Sequence, residues 1–110
     1  MVIDWQGTER CRGTQDLAYL LSSNMDVTTV REWWDPLVRR YHARLSTAGI
    51  RGYDLEECRF HYRQSVLYAL TPGITMLGQM QLNGDVRGLT DTFVIRTMTH
   101  AADLDGFETL

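Results

Sequence analysis

The sequence predicts a mainly helical fold, in which a short N-terminal β-strand precedes four or five helices. Apolar residues recur at helical spacing in several separate segments, and three of these segments follow a residue that can cap a helix. By contrast, residues 2–5 (VIDW) form a short run of mainly β-favouring side chains. Because the chain shows no internal repeat and no low-complexity linker, we expect a single domain over residues 1–110.

The first helix is expected to follow a polar connection at residues 7–13. Thr14 is the predicted cap, and either Thr14 or Gln15 begins the helix. Asp16 then lies in the first turn, where the helix dipole favours negative charge. Three leucines are expected on one buried face before the helix ends near residues 22–24: Leu17, Leu20 and Leu21.

A second helix is predicted from Asp26, its cap, to the stop signal at Ala48 and Gly49. Pro36 either kinks this helix or, with Asp35 as a new cap, begins another one. Adjacent tryptophans on a helix point in different directions, so we expect one of the pair to be buried and the other partly exposed. The predicted buried positions are Val30, Trp33 or Trp34, Leu37, Tyr41 and Leu45.

The third helix is predicted to open at Asp54, because the sequence DLEE has the form of a capping box. The sequence TPG at residues 71–73 is expected to bend it, and the turn NGD at residues 83–85 to precede a last helix. Phe60, Val66, Leu67 and Leu70 are predicted core residues of the third helix, and Leu89, Phe93, Val94 and Met98 of the last. Met76, Met80 and Met98 are interpreted as core filler.

Composition excludes several classes of function. The chain has 110 residues, is 44% hydrophobic and carries a net charge of -3, so we expect neither a nucleic-acid nor a membrane partner. All 11 basic residues are arginine, so no lysine amine is available for chemistry. Cys11 and Cys58 are expected to be free thiols in a cytoplasmic protein, and the sequence shows no targeting segment.

Other charged and polar residues have ordinary explanations. The pair Cys58 and His61 has metal-ligand spacing but supplies only half a zinc site, so the three histidines, His42, His61 and His100, are interpreted as ordinary side chains. A charged helix face is predicted to be solvated; it consists of Arg39, Arg40 and Arg44.

Two aspartates are the candidate functional residues. Asp4 lies within an apolar run near the end of the predicted strand. There a carboxylate can present its oxygens to Mg²⁺, or else face water or pair with Arg10 or Arg12. Asp16 is sufficiently explained by its place in the first turn of a helix. The residues alone leave these alternatives open.

Residues 2–21 contain the sequence IDWQ, then a glycine-containing loop, then DLAYLL. This pattern resembles the segment after the catalytic loop in the aminoglycoside phosphotransferase and choline kinase-like superfamily, especially its ecdysteroid kinase-like members. The resemblance implies that Asp4 holds Mg²⁺ against the phosphates of ATP and that Asp16 supports the catalytic loop. It also implies that the helices form part of the C-lobe of a kinase-like fold and bind a small-molecule hydroxyl acceptor.

The chain lacks the motifs that members of that family carry on the N-terminal side of IDWQ. It has no phosphate-covering loop and no lysine, and none of its histidines is followed by Gly-Asp. We therefore expect a C-terminal fragment of a phosphotransferase that is inactive alone. The alternative is a non-catalytic helical module that dimerises or binds a partner. Weak self-association is expected because the strand at residues 2–5 would have an open edge.

Overall fold

The computed structural model describes residues 10–83 and 87–110, which form four α-helices and a short 3₁₀ helix. The helices are α1 (Thr14–Asn24), α2 (Val27–Thr47), α3 (Leu55–Asn83) and α4 (Arg87–Asp103), followed by the 3₁₀ helix Gly106–Thr109. No β-strand is present within these described ranges. The prediction of a mainly helical fold with four or five helices is confirmed, whereas the strand predicted at residues 2–5 lies outside the described residues.

α1 begins at Thr14, as predicted, but Thr14 does not cap it. Gly13 occupies the N-cap position, and no side chain bonds the first turn there. The Thr14 hydroxyl is buried and lies 2.9 Å from the Ser65 hydroxyl of α3. The cap prediction was wrong because this hydroxyl forms its hydrogen bond with a distant helix instead of with its own backbone.

The other two predicted caps are confirmed. The Asp26 carboxylate accepts hydrogen bonds from the backbone N–H and the hydroxyl of Thr29, at 3.0 and 2.7 Å. These bonds, chiefly that from the backbone, hold the pKa of Asp26 below its usual value. Asp54 accepts from the backbone N–H of Glu57 at 2.8 Å. α2 ends at Thr47, and Gly49 then adopts a left-handed conformation with φ of 95°, as expected of a glycine stop signal.

Neither internal proline ends its helix. α2 runs through Pro36 as one helix, so the alternative in which Asp35 caps a new helix is wrong. The Asp35 carboxylate instead accepts from Arg39 at 2.7 Å and from Arg59 of α3 at 2.8 Å, and it thereby joins α2 to α3. α3 likewise continues through Pro72, and the bend predicted at the TPG sequence stays a prediction.

The buried face of α1 differs from the predicted one. Leu21 is buried, but Leu20 is 55% exposed, so its predicted place in the core was wrong. The buried positions follow a stripe centred on the small Ala18, and they are Thr14, Ala18, Leu21 and Ser22. The core is completed by Val30 and Val38 of α2, by Cys58, Tyr62 and Val66 of α3, and by Ala101 and Leu104.

The tryptophan prediction is confirmed in part, since Trp34 is the more buried of the pair but only partly buried, and three other core predictions are wrong. Trp34 packs on the core with its ring stacked on Tyr62, while Trp33 is 49% exposed. Phe60, Met76 and Met98 were predicted to be buried, but all three are exposed. α3 and α4 carry apolar residues on all sides, so helical spacing does not identify which side meets the core.

Candidate functional site

Of the two predicted functional aspartates, only Asp16 lies within the described residues. Asp4 lies outside the described residues, so its geometry is not described. Asp16 is exposed in the first turn of α1, as predicted, and it forms no ion pair within residues 10–83 and 87–110. The negative charge of Asp16 is therefore available at the start of α1.

A cleft of about 210 Å³ lies beside this start of α1. It forms where the chain leading into α1 meets α2, the α2–α3 loop and the first turns of α3. A side chain at position 13 would overlap the Tyr41 hydroxyl, so glycine leaves room for the Tyr41 ring in its present position. The cleft is lined by Arg12, Gly13, Thr14, Tyr41, Tyr53 and His61.

Two histidines hold the α2–α3 loop in this cleft. The Tyr53 hydroxyl lies 3.1 Å from His61 Nδ1, and the two rings are stacked with centroids 5.6 Å apart. On the other side, His42 Nε2 donates to the Tyr53 backbone carbonyl at 2.8 Å. These contacts give both histidines a structural role, in agreement with their interpretation as ordinary side chains. Within the part of the chain described here, no group of three or more histidine, cysteine or acidic side chains could hold a metal ion.

The electrostatics of the cleft do not activate its side chains. Burial raises the pKa of Tyr53, of Tyr41 and of the Cys58 thiol above their usual values. Burial, together with the Arg12 charge, lowers the pKa of His61. Near neutral pH these four groups are uncharged, and a phenol or thiol with a raised pKa is a poor base or nucleophile. None of these four groups is therefore poised as a base or nucleophile.

A second polar pair lies inside the core. The Tyr62 hydroxyl and His100 Nε2 are 2.9 Å apart, and both side chains are buried. Burial lowers the pKa of His100 to about 4, and its Nδ1 has no hydrogen-bond partner among the described residues. The imidazole is therefore neutral at physiological pH, and it ties α4 to α3 without reaching the surface.

A different cavity, of about 200 Å³, opens on the surface between α1, α3 and α4. Its walls are mainly apolar and are formed by Tyr19, Pro72, Met76 and Phe93. The Phe93 ring lies directly on Gly73, where an added Cβ would come within 2.6 Å of it. Ser23, Thr92 and Arg96 complete the lining. We call this cavity the α1/α3/α4 groove.

Sequence reasoning identified Asp16 but not the α1/α3/α4 groove. Phe93 was predicted as core and Met76 as core filler, and Arg96 was not singled out, because nothing local to α4 shows that it borders an apolar cavity. Of the predicted arginine face, Arg39 pairs with Asp35, and all three arginines are exposed, as expected of a solvated face.

In comparisons with known proteins, no family model, no curated protein and no solved structure matches the chain. Among the described residues, no helix has both the length and the apolar character needed to cross a membrane.

Proposed function

We propose that this chain is part of an ATP-dependent small-molecule phosphotransferase with a kinase-like fold. It contributes the Mg²⁺-binding Asp4 and helices of the C-lobe on the acceptor side, and it transfers no phosphate by itself. The proposal is supported by the resemblance of residues 2–21 to the family segment. Its structural support is that α1 begins at Thr14 with Asp16 exposed in its first turn, which is where that segment requires a helix.

The Mg²⁺ site implied by the resemblance requires few protein ligands. Mg²⁺ usually takes one or two protein carboxylates and completes its coordination with water and phosphate oxygens. A single carboxylate, Asp4, is therefore compatible with an ion held by nucleotide in the complete protein. Without the remainder of the nucleotide site, Asp4 should bind the ion poorly.

Inactivity of the chain alone follows from what phosphoryl transfer needs. Catalysis depends on cations that cradle the phosphates and on a residue that orients the attacking hydroxyl. This chain has no lysine and no histidine followed by Gly-Asp. The missing groups would have to come from an N-terminal lobe, which we propose as the partner of this chain in a cytoplasmic enzyme.

Restoring that lobe tests the proposal. The DNA upstream of the first codon should encode, in frame or after a frameshift, a sequence of the type HGDxxxxN. The isolated chain titrated with Mg·ATP should show little or no binding, and the chain joined to the restored lobe should bind nucleotide and transfer phosphate to a small hydroxyl acceptor. A promoter and ribosome-binding site directly before Met1 would contradict the proposal.

Substitution of Asp4 tests the metal role separately. In the restored protein, Asp4→Asn should abolish turnover and leave the circular dichroism spectrum unchanged. Glu108→Gln, which removes an exposed acid near the other end of the chain, is the control and should keep normal turnover. Near-normal turnover of the Asn variant would show that Asp4 holds no catalytic metal.

A second function is favoured by a specific observation, namely the exposed apolar side chains of α3 and α4. Ile74 and Ile95 are 59% and 63% exposed, and Met76 and Met98 are also exposed. Large apolar side chains left exposed on two packed helices are candidates for an interaction surface. The second candidate is therefore a non-catalytic helical module that dimerises or binds a partner through these helices.

Sedimentation velocity distinguishes this second candidate. If α4 forms a dimer interface, the chain should associate at high concentration and Ile95→Arg should return it to a monomer. Ile50→Arg is the matched control, because Ile50 is 50% exposed in the α2–α3 loop. A chain that stays monomeric at high concentration would contradict dimerisation, including the weak self-association expected from residues 2–5.

A further inference from the structure

The α1/α3/α4 groove combines an apolar body with a charged rim. Tyr19 and Phe93 form its aromatic part, with ring centroids 5.7 Å apart, and Pro72 and Met76 supply the aliphatic part from α3. Since Phe93 rests on Gly73, the ring is held against α3 and does not fill the cavity. The result is a preformed apolar recess that opens on the surface.

Arg96 supplies the charge at this recess. It is partly buried on α4, and no carboxylate pairs with it within the described ranges. By contrast, Arg31, Arg39 and Arg59 each pair with an acid. An arginine without a carboxylate partner retains its donors for an anion and favours a planar one that it can bind through two parallel bonds.

The two aliphatic hydroxyls of the groove, those of Ser23 and Thr92, do not compete for that role. The Ser23 hydroxyl donates to the Tyr19 carbonyl at 2.7 Å, and the Thr92 hydroxyl donates to the Gly88 carbonyl at 2.8 Å. Each hydroxyl has thus used its only proton within its own helix. Arg96 is therefore the charged donor of the groove, and an anionic group on a ligand would bind there.

We propose that the α1/α3/α4 groove binds a small aromatic carboxylate, with its ring between Phe93 and Met76 and its carboxylate on Arg96. The size of the groove limits the ligand. An apolar cavity of about 150 Å³ holds benzene, so about 200 Å³ accommodates one ring with a short side chain. This site goes beyond the phosphotransferase proposal, because it requires neither Asp4 nor a nucleotide and lies within the described chain.

The full chain labelled with ¹⁵N and titrated with 3-phenylpropionate tests the proposal by nuclear magnetic resonance. The amide signals of Gly73, Phe93 and Arg96 should shift and saturate, with a dissociation constant on the order of 1 mM. The neutral analogue 3-phenylpropionamide should bind about tenfold more weakly, because it lacks the charge that Arg96 recognises. Acetate, which lacks the ring, should cause no saturable shift.

Arginine variants provide the matched comparison. Arg96→Gln should weaken 3-phenylpropionate binding about tenfold and leave binding of the amide unchanged. Arg40→Gln, at an exposed position on α2, should leave both affinities unchanged. Equal binding of the carboxylate and the amide by the unmodified chain would overturn the proposal, whether or not the Arg96 variant folds.

Two further outcomes would also overturn it. One is an absence of saturable shifts up to about 20 mM 3-phenylpropionate, roughly twenty times the expected dissociation constant. The other is a groove already occupied by a second copy of the chain, which would appear as shifts of the same amides on dilution without ligand. Neither outcome depends on the phosphotransferase proposal, which is tested through Asp4 and the restored lobe.

Discussion

The two parts of α3 on either side of Thr71 differ sharply in how they are covered. Residues 55–70 contribute six buried positions, three of which, Cys58, Tyr62 and Val66, belong to the main core cluster. In residues 71–79, Gly73 is buried, whereas Ile74 and Met76 are exposed. One continuous helix thus passes from a closed core to an open surface.

The C-terminal segment, residues 104–110, is hydrogen-bonded to the first part of α3. Arg63 donates to the backbone carbonyls of Leu104 and Asp105, at 2.6 and 3.0 Å, and Gln64 donates to that of Thr109 at 3.1 Å. The α1/α3/α4 groove is lined by two residues from the second part, Pro72 and Met76. The comparison indicates that the first part of α3 contributes most of the buried core positions of this helix, and that the second part borders a groove that is open at the surface.

The largest expected difference between the two parts of α3 comes from truncating one apolar residue on each side of Thr71. Leu70→Ala removes a side chain that is 7% exposed and should lower the free energy of unfolding by about 2–5 kcal/mol, because it leaves a cavity. Ile74→Ala, one turn later and 59% exposed, should change it by about 0.5 kcal/mol or less. Urea unfolding followed by circular dichroism measures both, and similar losses would refute the division.

The buried His100 should make the free energy of unfolding sensitive to acid. Its pKa is about 4 in the folded chain against 6.5 as the ordinary value, so the unfolded chain binds the extra proton first as the pH falls. The free energy of unfolding therefore has its full value above about pH 6.5. It should fall by about 2 kcal/mol by pH 5, at about 1.36 kcal/mol per pH unit. The lowered pKa values of Asp26, Asp35 and Asp103 act at lower pH, since those carboxylates begin to gain protons only near 3.8 in the unfolded chain.

The measurement is the urea midpoint of the chain and of His100→Gln between pH 7.5 and pH 5. The Gln variant should be less stable at pH 7.5 but should lose much less on acidification, because it has no imidazole to protonate. Parallel curves for the two proteins would show that His100 is not the source of the acid sensitivity.

The smallest of these effects concerns the start of α3. Asp54→Ala removes the cap that accepts from the Glu57 N–H and should lower the free energy of unfolding by about 1 kcal/mol. Glu57→Ala keeps that backbone donor and its cap, so the loss should be about 0.5 kcal/mol or less. If thermal melts give equal losses for the two variants, the first turn of α3 does not depend on its cap.

Local signals in the sequence predicted most helix boundaries. Asp26, Asp54 and Gly49 act within one turn of their own position, so their roles could be read from neighbouring residues. The buried faces were harder to predict. The partner of Thr14 is Ser65, 51 residues away, and no local pattern specifies that contact.

The candidate sites show the same limit. The helical first-turn position of Asp16 was predictable from sequence, and its proposed support of a catalytic loop stays a prediction, as does the metal role of Asp4 outside the described residues. The groove could not be predicted, since Tyr19, Pro72 and Arg96 come together only through the packing of three helices.

The contact between Gly73 and Phe93 also constrains how this sequence can evolve. A Cβ at position 73 would come within 2.6 Å of the Phe93 ring. The space between the two helices is therefore limited, and a larger residue at one of these positions requires a smaller one at the other. A lineage that gains alanine at position 73 should therefore carry a smaller residue at position 93, and the two changes should appear together in related sequences. Covariation of these two positions would be a signature by which distant relatives with the same α3–α4 packing could be recognised.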